Sequence, residues 1–505
     1  MKILKSNHVL QIASMLMTCA FFLNACTEGP LDDNGYDEDE QEVLNVTFVM
    51  EGVTESSVRF SGIVDGKTRK LEVGIVYSLN KDMSGYKKAT FKPEFVGGGK
   101  TFSFEVVGLQ YNSTYYYKTF YSRNGVKGES QVQTFTTAAF EFEAPTDAME
   151  LSAGGSANSY IISEPGTYSF KINKGNSEQV LGSGTSAPGY ASLLWTSFGT
   201  SVAPEEEDLI VECGYDGGYV YVVTNQEFKE GNAVVALHDQ KGNIMWSWHL
   251  WFTDAPQGQE YNNGAGTMMD RNLGATAVEA GEVGSLGLLY QWGRKDPFPG
   301  SSSISSQVVA AASTSVGHDF ETTLVTASTG TVSYATENPM ALLVTGDTGN
   351  VDTNTPPRVT DWVYVRNNAL WGPEKTVYDP CPPGWRVPDG GLDGIWNNGL
   401  AEFQEGQAIP VPPILEERYC RDFSDLFGDG STKILYPACG YSDFAEGALG
   451  YVGFTISYWS CTVVGDEAYV FNNDASSSMV YYHCSPGFRA CANSVRCMRD
   501  DAKTE

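Results

Sequence analysis

Ala233-Val234-Val235-Ala236-Leu237 and Ile244-Met245-Trp246-Ser247-Trp248-His249-Leu250 stand on either side of His238-Asp239-Gln240-Lys241-Gly242-Asn243. Two apolar runs of strand length around a polar turn with a Gly-Asn step read as a β-hairpin. Trp246, Trp248 and Leu250 alternate, so they share one strand face, with His249 opposite. The two rings are expected to pack in a core or between domains, with an exposed sugar-stacking platform as the alternative. The texture continues outward through Ser159–Ile162, Gly166–Phe170, Leu209–Cys213 and Tyr219–Val223. Short strands recurring with turns between them predict a β-sandwich over 146–256. Upstream, Val58–Ile63 and Thr101–Val106 alternate with period two. Turns are signalled at Asp65-Gly66, Gly97–Gly99 and Asn124-Gly125, which predicts another sandwich over 45–140.

Composition agrees with this reading. At roughly 100–200 residues per domain, 505 residues suggest about three domains. Glycine is abundant, at 54 residues, and charged residues make up only 19%, which points to loop-rich β structure rather than helical bundles. A net charge of −30 argues against nucleic-acid partners, which need a basic surface.

The N-terminus sets the expected compartment. Lys2 and Lys5 precede an apolar run from Val9 to Leu23, the pattern of a secretory signal over 1–25. Leu23-Asn24-Ala25-Cys26 resembles a bacterial lipobox, which implies cleavage before Cys26 and its lipidation. The segment 26–44 is acidic and reads as a solvated tether. Its composition resembles the surface-export signals of Bacteroidetes lipoproteins, with a plain spacer as the alternative. The implied partner is outer-membrane lipid through Cys26, and the implied location is the outer membrane, facing outward.

Gly108-Leu109-Gln110-Tyr111-Asn112-Ser113-Thr114-Tyr115 is similar to the corner motif of fibronectin type III domains. The resemblance implies that Leu109 enters the core and that Tyr115 bonds back to the corner backbone. Tyr111 replaces the usual proline, and Phe60 stands where a core tryptophan is common.

From Tyr261 onward, glycine, proline, tryptophan and cysteine dominate. Four segments appear in order: Met269–Gly274, Gly287–Gly293, Asp379–Pro388 and Ser494–Asp500, with Tyr458-Trp459-Ser460 between the last two. Over 260–501 the chain resembles the Fibrobacter succinogenes major paralogous domain, whose fold is related to C-type lectins. The fold class expected is therefore multidomain and mainly β. Two β-sandwiches, the first fibronectin type III-like, precede an irregular α+β C-type-lectin-like domain. In that setting Cys381 and Cys497 are expected to form a disulfide, Trp385 and Trp459 to supply core, and Arg386 and Arg496 to serve as structural partners. Cys213 shares a strand face with Leu209 and Val211 and is expected to be a buried thiol. A short helix is expected near Ile414–Leu426.

No His-Glu-x-x-His, Gly-x-Ser-x-Gly, Cys-x-x-Cys or phosphate-binding glycine loop occurs, so no catalytic residue, metal ligand or cofactor is assigned. Cys484 and Cys491 raise an enzyme of the formylglycine-generating type as a lesser alternative. The leading expectation is a surface-anchored, non-enzymatic binding or adhesion lipoprotein whose head takes a glycan or a partner protein. A structural fimbria- or envelope-associated component is the runner-up. Trp362, Trp371, Trp396 and Tyr441, in glycine- and asparagine-rich sequence, are the candidate ligand-contacting rings.

Overall fold

In a computed structural model of the chain, residues 44–501 are described apart from short stretches, the longest at 313–319, 347–359, 401–408 and 411–418. The expected signal, Cys26 and the expected tether up to residue 43 lie outside the described residues, as does most of the segment around Ile414. The protein is multidomain and mainly β, with 42% of the described residues in strands and 6% in helices, short 3-10 turns included. Among the described residues, the helices are the short Val332–Glu337, Ile395–Asn398 and Ser424–Phe427, and none is long and apolar enough to cross a membrane. The chain divides into two compact units, up to Phe140 and from Glu141 onward.

The first unit sets two sheets face to face. Strands β1 (Asn45–Val53), β2 (Val58–Asp65) and β5 (Thr101–Val106) form one. The other contains β3 (Glu72–Ser78), β4 (Lys87–Phe91), β6 (Thr114–Arg123), β7 (Val126–Glu129) and β8 (Gln133–Thr136). Alternation decides what each strand buries: Val58, Phe60 and Val64 of β2 face the core, while Arg59 and Ile63 face solvent. Phe60 lies against Phe104 and Tyr117, with ring centroids 5.4 and 5.3 Å away. At the corner, Leu109 is buried and the Gln110 backbone N–H donates to the Tyr115 hydroxyl over 2.8 Å. Gly108, at φ +73°, takes the left-handed turn that lets the chain enter it.

The second unit begins with another pair of sheets. One runs β10 (Ser159–Ile162), β16 (Ile244–Phe252), β15 (Gly231–Asp239) and β12 (Pro188–Ser197). Its partner runs β13 (Ile210–Asp216), β14 (Tyr219–Thr224), β11 (Thr167–Lys171) and β9 (Met149–Glu150). The expected hairpin is β15–β16, with Ala233 paired to Leu250 and Leu237 to Trp246. Trp246, Trp248 and Leu250 face the partner sheet and join its core. A bulge between Ile210 and Glu212 breaks the alternation of β13, so Val211 is exposed while Cys213 packs toward the core. Burial pushes the Cys213 thiol up to about 12.

The sequence separates this sandwich from the C-terminal module, but both lie in one compact unit. The other face of β15–β16 is also buried. Val234, Ala236 and Trp251 share a core with Leu273, Leu288, Trp292, Trp362, Trp371 and Trp459 of the module. Three polar groups of the sheet are matched across this layer. The Trp251 indole donates to the Ala275 carbonyl over 2.9 Å, Asn232 donates to Gly274 O over 2.9 Å, and Ser247 donates to Asp296 over 2.6 Å. The module itself is built on short strands, including Thr455–Val464 against Glu467–Asp474 and Ala492–Ser494 against both Leu289–Gln291 and Tyr441–Ser442.

Candidate functional site

The disulfide between Cys381 and Cys497 is present and wholly buried, with Cα atoms 6.0 Å apart across 116 residues of sequence. Closing a loop of that length removes roughly 4–5 kcal/mol of unfolded-chain entropy in the simple chain model. Trp459 is core, as expected, and its indole donates to Tyr290 O over 2.7 Å.

Three of the four expected contact rings require correction. Trp362, Trp371 and Trp396 are at most 1% exposed. Their indole N–H groups are used internally, donating to Trp292 O, Tyr378 O and the Tyr436 hydroxyl, each over 2.8 Å. Trp396 also stacks on Phe471 at 5.0 Å. A module with so little regular structure fills its interior with its largest side chains, and glycine-rich surroundings allow close packing rather than exposure.

Buried cations take the same structural part. The Arg496 guanidinium lies 4.0 Å from the Tyr436 ring centre and donates to Asn272 Oδ1 and Leu435 O. Arg294 donates to the carbonyls of Ala335, Asn338, Pro339 and Ala341, closing the end of helix Val332–Glu337. Arg386 pairs with Asp389 at 2.5 Å. Burial pushes the Cys484 and Cys491 thiols up to about 12, so both carry their protons at neutral pH. Among the described residues no three His, Cys, Asp or Glu side chains are gathered to hold a metal ion.

Tyr441 differs from the tryptophans. It opens a small hairpin, pairing with Gly450 across the turn, and is half-buried. Asp443 fixes that turn, its carboxylate accepting the Ala445 and Glu446 N–H groups at 2.8 Å each. The ring of Tyr441 stacks nearly parallel on Tyr451, centroids 5.3 Å apart and planes at 14°, with Phe454 6.4 Å beyond. Tyr451 is 52% exposed and stands at φ +61°, a conformation costly for a bulky residue. It is held there because its carbonyl accepts the N–H groups of both Phe454 and Thr455. Sequence reading misses Tyr451, which lies just after Gly450 with no periodicity to mark its exposure.

A second surface feature is an open cleft of about 370 Å³ lined by Gln257, Gln259, Asp270, Glu279, Lys433 and Leu435, among others. Asp270 and Asp254 both grip Arg271, at 2.9 and 2.5 Å. Arg271 holds the Asp254 carboxyl below its ordinary range. Burial and the neighbouring Asp254 push the Glu230 carboxyl up. The ammonium of Lys433 pairs with Asp422 at 2.6 Å.

No family model matches this chain, and no curated protein matches it. Solved structures do match over parts of it. The sensor domain of the anti-sigma factor RsgI4 in Pseudobacteroides cellulosolvens is 19% identical at a TM-score of 0.16, covering 21% of this chain and 98% of that one. A fibronectin type III domain derived from human KIAA0970 protein is 16% identical at a TM-score of 0.16, covering 23% of this chain and 93% of that one.

Proposed function

We propose that this chain is a non-enzymatic binding or adhesion lipoprotein, anchored in the outer membrane through Cys26 and facing outward. In this reading a fibronectin type III-like module precedes a head of the Fibrobacter succinogenes major paralogous type, which is C-type-lectin-like. The head takes a glycan or a partner protein at the Tyr441–Tyr451 ledge. The observation that carries the reading is Tyr451: a large ring left in water, on a strained backbone, braced by a parallel neighbour. Held rigid in this way, a ring loses little entropy on contact and offers a flat apolar face, the surface that stacks on the C–H face of a pyranose.

The test is retention of the full chain on a broad glycan array, compared with Tyr451→Ala. The substitution removes an exposed ring, so the melting temperature should hold while retention falls at least tenfold. Equal retention by the variant, or no retention of either protein, would overturn a glycan site at this ledge. A structural role in the envelope is favoured by a different observation, the continuous core joining the second sandwich to the head. Co-purification of the tagged full chain with fimbrial subunits, unaffected by Tyr451→Ala, is the result that reading expects.

A further inference from the structure

The first unit carries a charge opposite to that of the whole chain. The chain has a net charge of −30, yet residues 44–140 hold twelve basic side chains against eight acidic ones. The excess sits at one pole. There β1 begins and β2 ends, with Asn45 paired to Asp65. The connection from β2 to β3 brings Arg69 and Lys70, and the start of β5 brings Lys100, whose carbonyl accepts the Val64 N–H over 2.8 Å. The end of β4 brings Lys92, one residue past the Phe91–Val73 pair. The turn from β6 to β7 brings Arg123 and Lys127, and Arg123 Nε donates to Arg69 O over 3.2 Å. Against these six cations stand two carboxylates, Asp65 and Glu72, the first 3.9 Å from Lys100. Five of the six cations are exposed. Elsewhere in the described part of the unit five basic side chains balance five acidic ones, and Lys67 and Glu94 lie outside the described residues.

The chain enters the unit at this same pole. Leu44 is buried and its carbonyl accepts the Tyr121 hydroxyl over 3.1 Å, which pins the entry point. Immediately before it, residues 27–43 carry eight carboxylates and no basic side chain, and Glu42 stands two positions from Leu44. A tethered segment of this length meets the pole at an effective concentration on the order of millimolar. We propose that the acidic segment 28–42 folds back onto this pole, its carboxylates held by Arg69, Lys70, Lys92, Lys100 and Lys127. The competing anion is a phosphate-bearing lipid surface. Magnitude decides against it: eight carboxylates outnumber the pole's surplus of four cations, so segment and pole together repel an anionic bilayer. The contact is solvent-exposed, so salt weakens it. It requires no lipid at Cys26 and no ligand at the aromatic ledge.

Zero-length carbodiimide cross-linking of the full chain, read by mass spectrometry, tests the docking, because it joins a lysine only to a carboxylate in contact with it. At about 10 mM salt, where screening sets in at about 30 Å, the acids of 28–42 should join the pole's lysines about fivefold more than Lys81, Lys87 and Lys88, which lie away from it. At about 1 M salt, where screening sets in at about 3 Å, that joining should fall about threefold. Lys92→Glu/Lys127→Glu, at exposed positions, should lower the joining at Lys70 and Lys100 about threefold while the melting temperature of the first unit holds. A segment that is merely close to its own attachment point joins Lys70 and Lys100 equally in both salts and in the variant. That result overturns the proposal, as does joining spread evenly over the lysines of the pole and those away from it. Vesicles of phosphatidylcholine, with or without phosphatidylglycerol, should leave the pattern unchanged. Loss of joining only when phosphatidylglycerol is present would give the pole to lipid phosphate and overturn the assignment of its occupant.

Discussion

Strand β2 of the first unit and strand β15 of the second are both core strands of a two-sheet sandwich, yet they are buried differently. Along β2 every second residue faces water, and Ile63 is 57% exposed. Along β15 all nine residues are buried. The cause is what lies beyond the sheet. The outer face of β1–β2–β5 carries Arg59 and Ser61, with Arg59 pairing Glu105 at 3.1 Å. The outer face of β15–β16 is the floor of the head. One sheet separates a core from solvent, and the other separates two cores. The second arrangement forces polar groups into the interior at Asn232, Ser247 and His249, each with a partner inside.

The largest expected consequence is an asymmetry toward acid. His249 is enclosed between Ser159 Oγ and Asn232 Oδ1, and burial pushes its pKa down to about 3. The folded state therefore excludes a proton that the unfolded chain accepts near pH 6.5. This contribution to stability is fully present above about pH 6.5 and is lost progressively as the pH falls toward 3, the loss reaching on the order of 4–5 kcal/mol. Residues 44–140 contain no histidine, so the first unit has no such slope. Thermal unfolding of the full chain between pH 7 and 4 should show the second unit's transition moving down while the first stays nearly fixed. His249→Gln should flatten the difference. Parallel movement of both transitions would break the comparison.

Next in size is the buried pair in the same layer. Lys295 and Asp296 meet at 2.6 Å, and both contact Ser247 of β16. Burial pushes the Lys295 ammonium down from its ordinary range, while Asp296 holds it charged. Asp296→Ala leaves that cation alone and should cost about 3–5 kcal/mol, measured by denaturant unfolding. The double substitution Lys295→Met/Asp296→Asn should recover most of the loss, since the penalty comes from the orphaned charge rather than from the missing bond. An equal loss in the double variant would show that the pair holds the head in place by specific bonding.

Much of this is legible in the sequence, and the reasons it is or is not differ by residue. Leu109 and Tyr115 are a local corner, fixed by residues within a few positions of one another, and both stand where the motif implies. Cys381 and Cys497 follow from the family resemblance, and the bridge is there. The hairpin Ala233–Leu250 reads directly from its residues, but its double burial does not follow from the tryptophans. Val234 and Ala236 lie between Ala233, Val235 and Leu237, and that unbroken apolar run already signals a strand covered on both faces. Weighing the hairpin by its tryptophans alone hides the second face. Trp362, Trp371 and Trp396 mislead because glycine- and asparagine-rich sequence signals loop, and loops in this module pack inward. The cleft is out of reach, since Gln259 and the Lys433 carbonyl it binds are 174 residues apart.

The sharpest test of the comparison uses matched substitutions on outward strand positions. Val234 of β15 and Ile63 of β2 both point away from their own sandwich core, yet Val234 is buried and Ile63 is in water. Val234→Ser removes buried apolar volume from the layer shared with Trp251 and places a hydroxyl there without a partner. It should cost about 2–3 kcal/mol in the second unit. Ile63→Ser exchanges one solvated side chain for another and should stay within about 0.5 kcal/mol. Both strands are paired antiparallel on both sides, so intrinsic strand propensity predicts nearly equal effects. A fivefold difference therefore measures the covering by the head. Equal costs would mean that the head lies on the sheet without contributing to its stability, and that the second sandwich folds on its own.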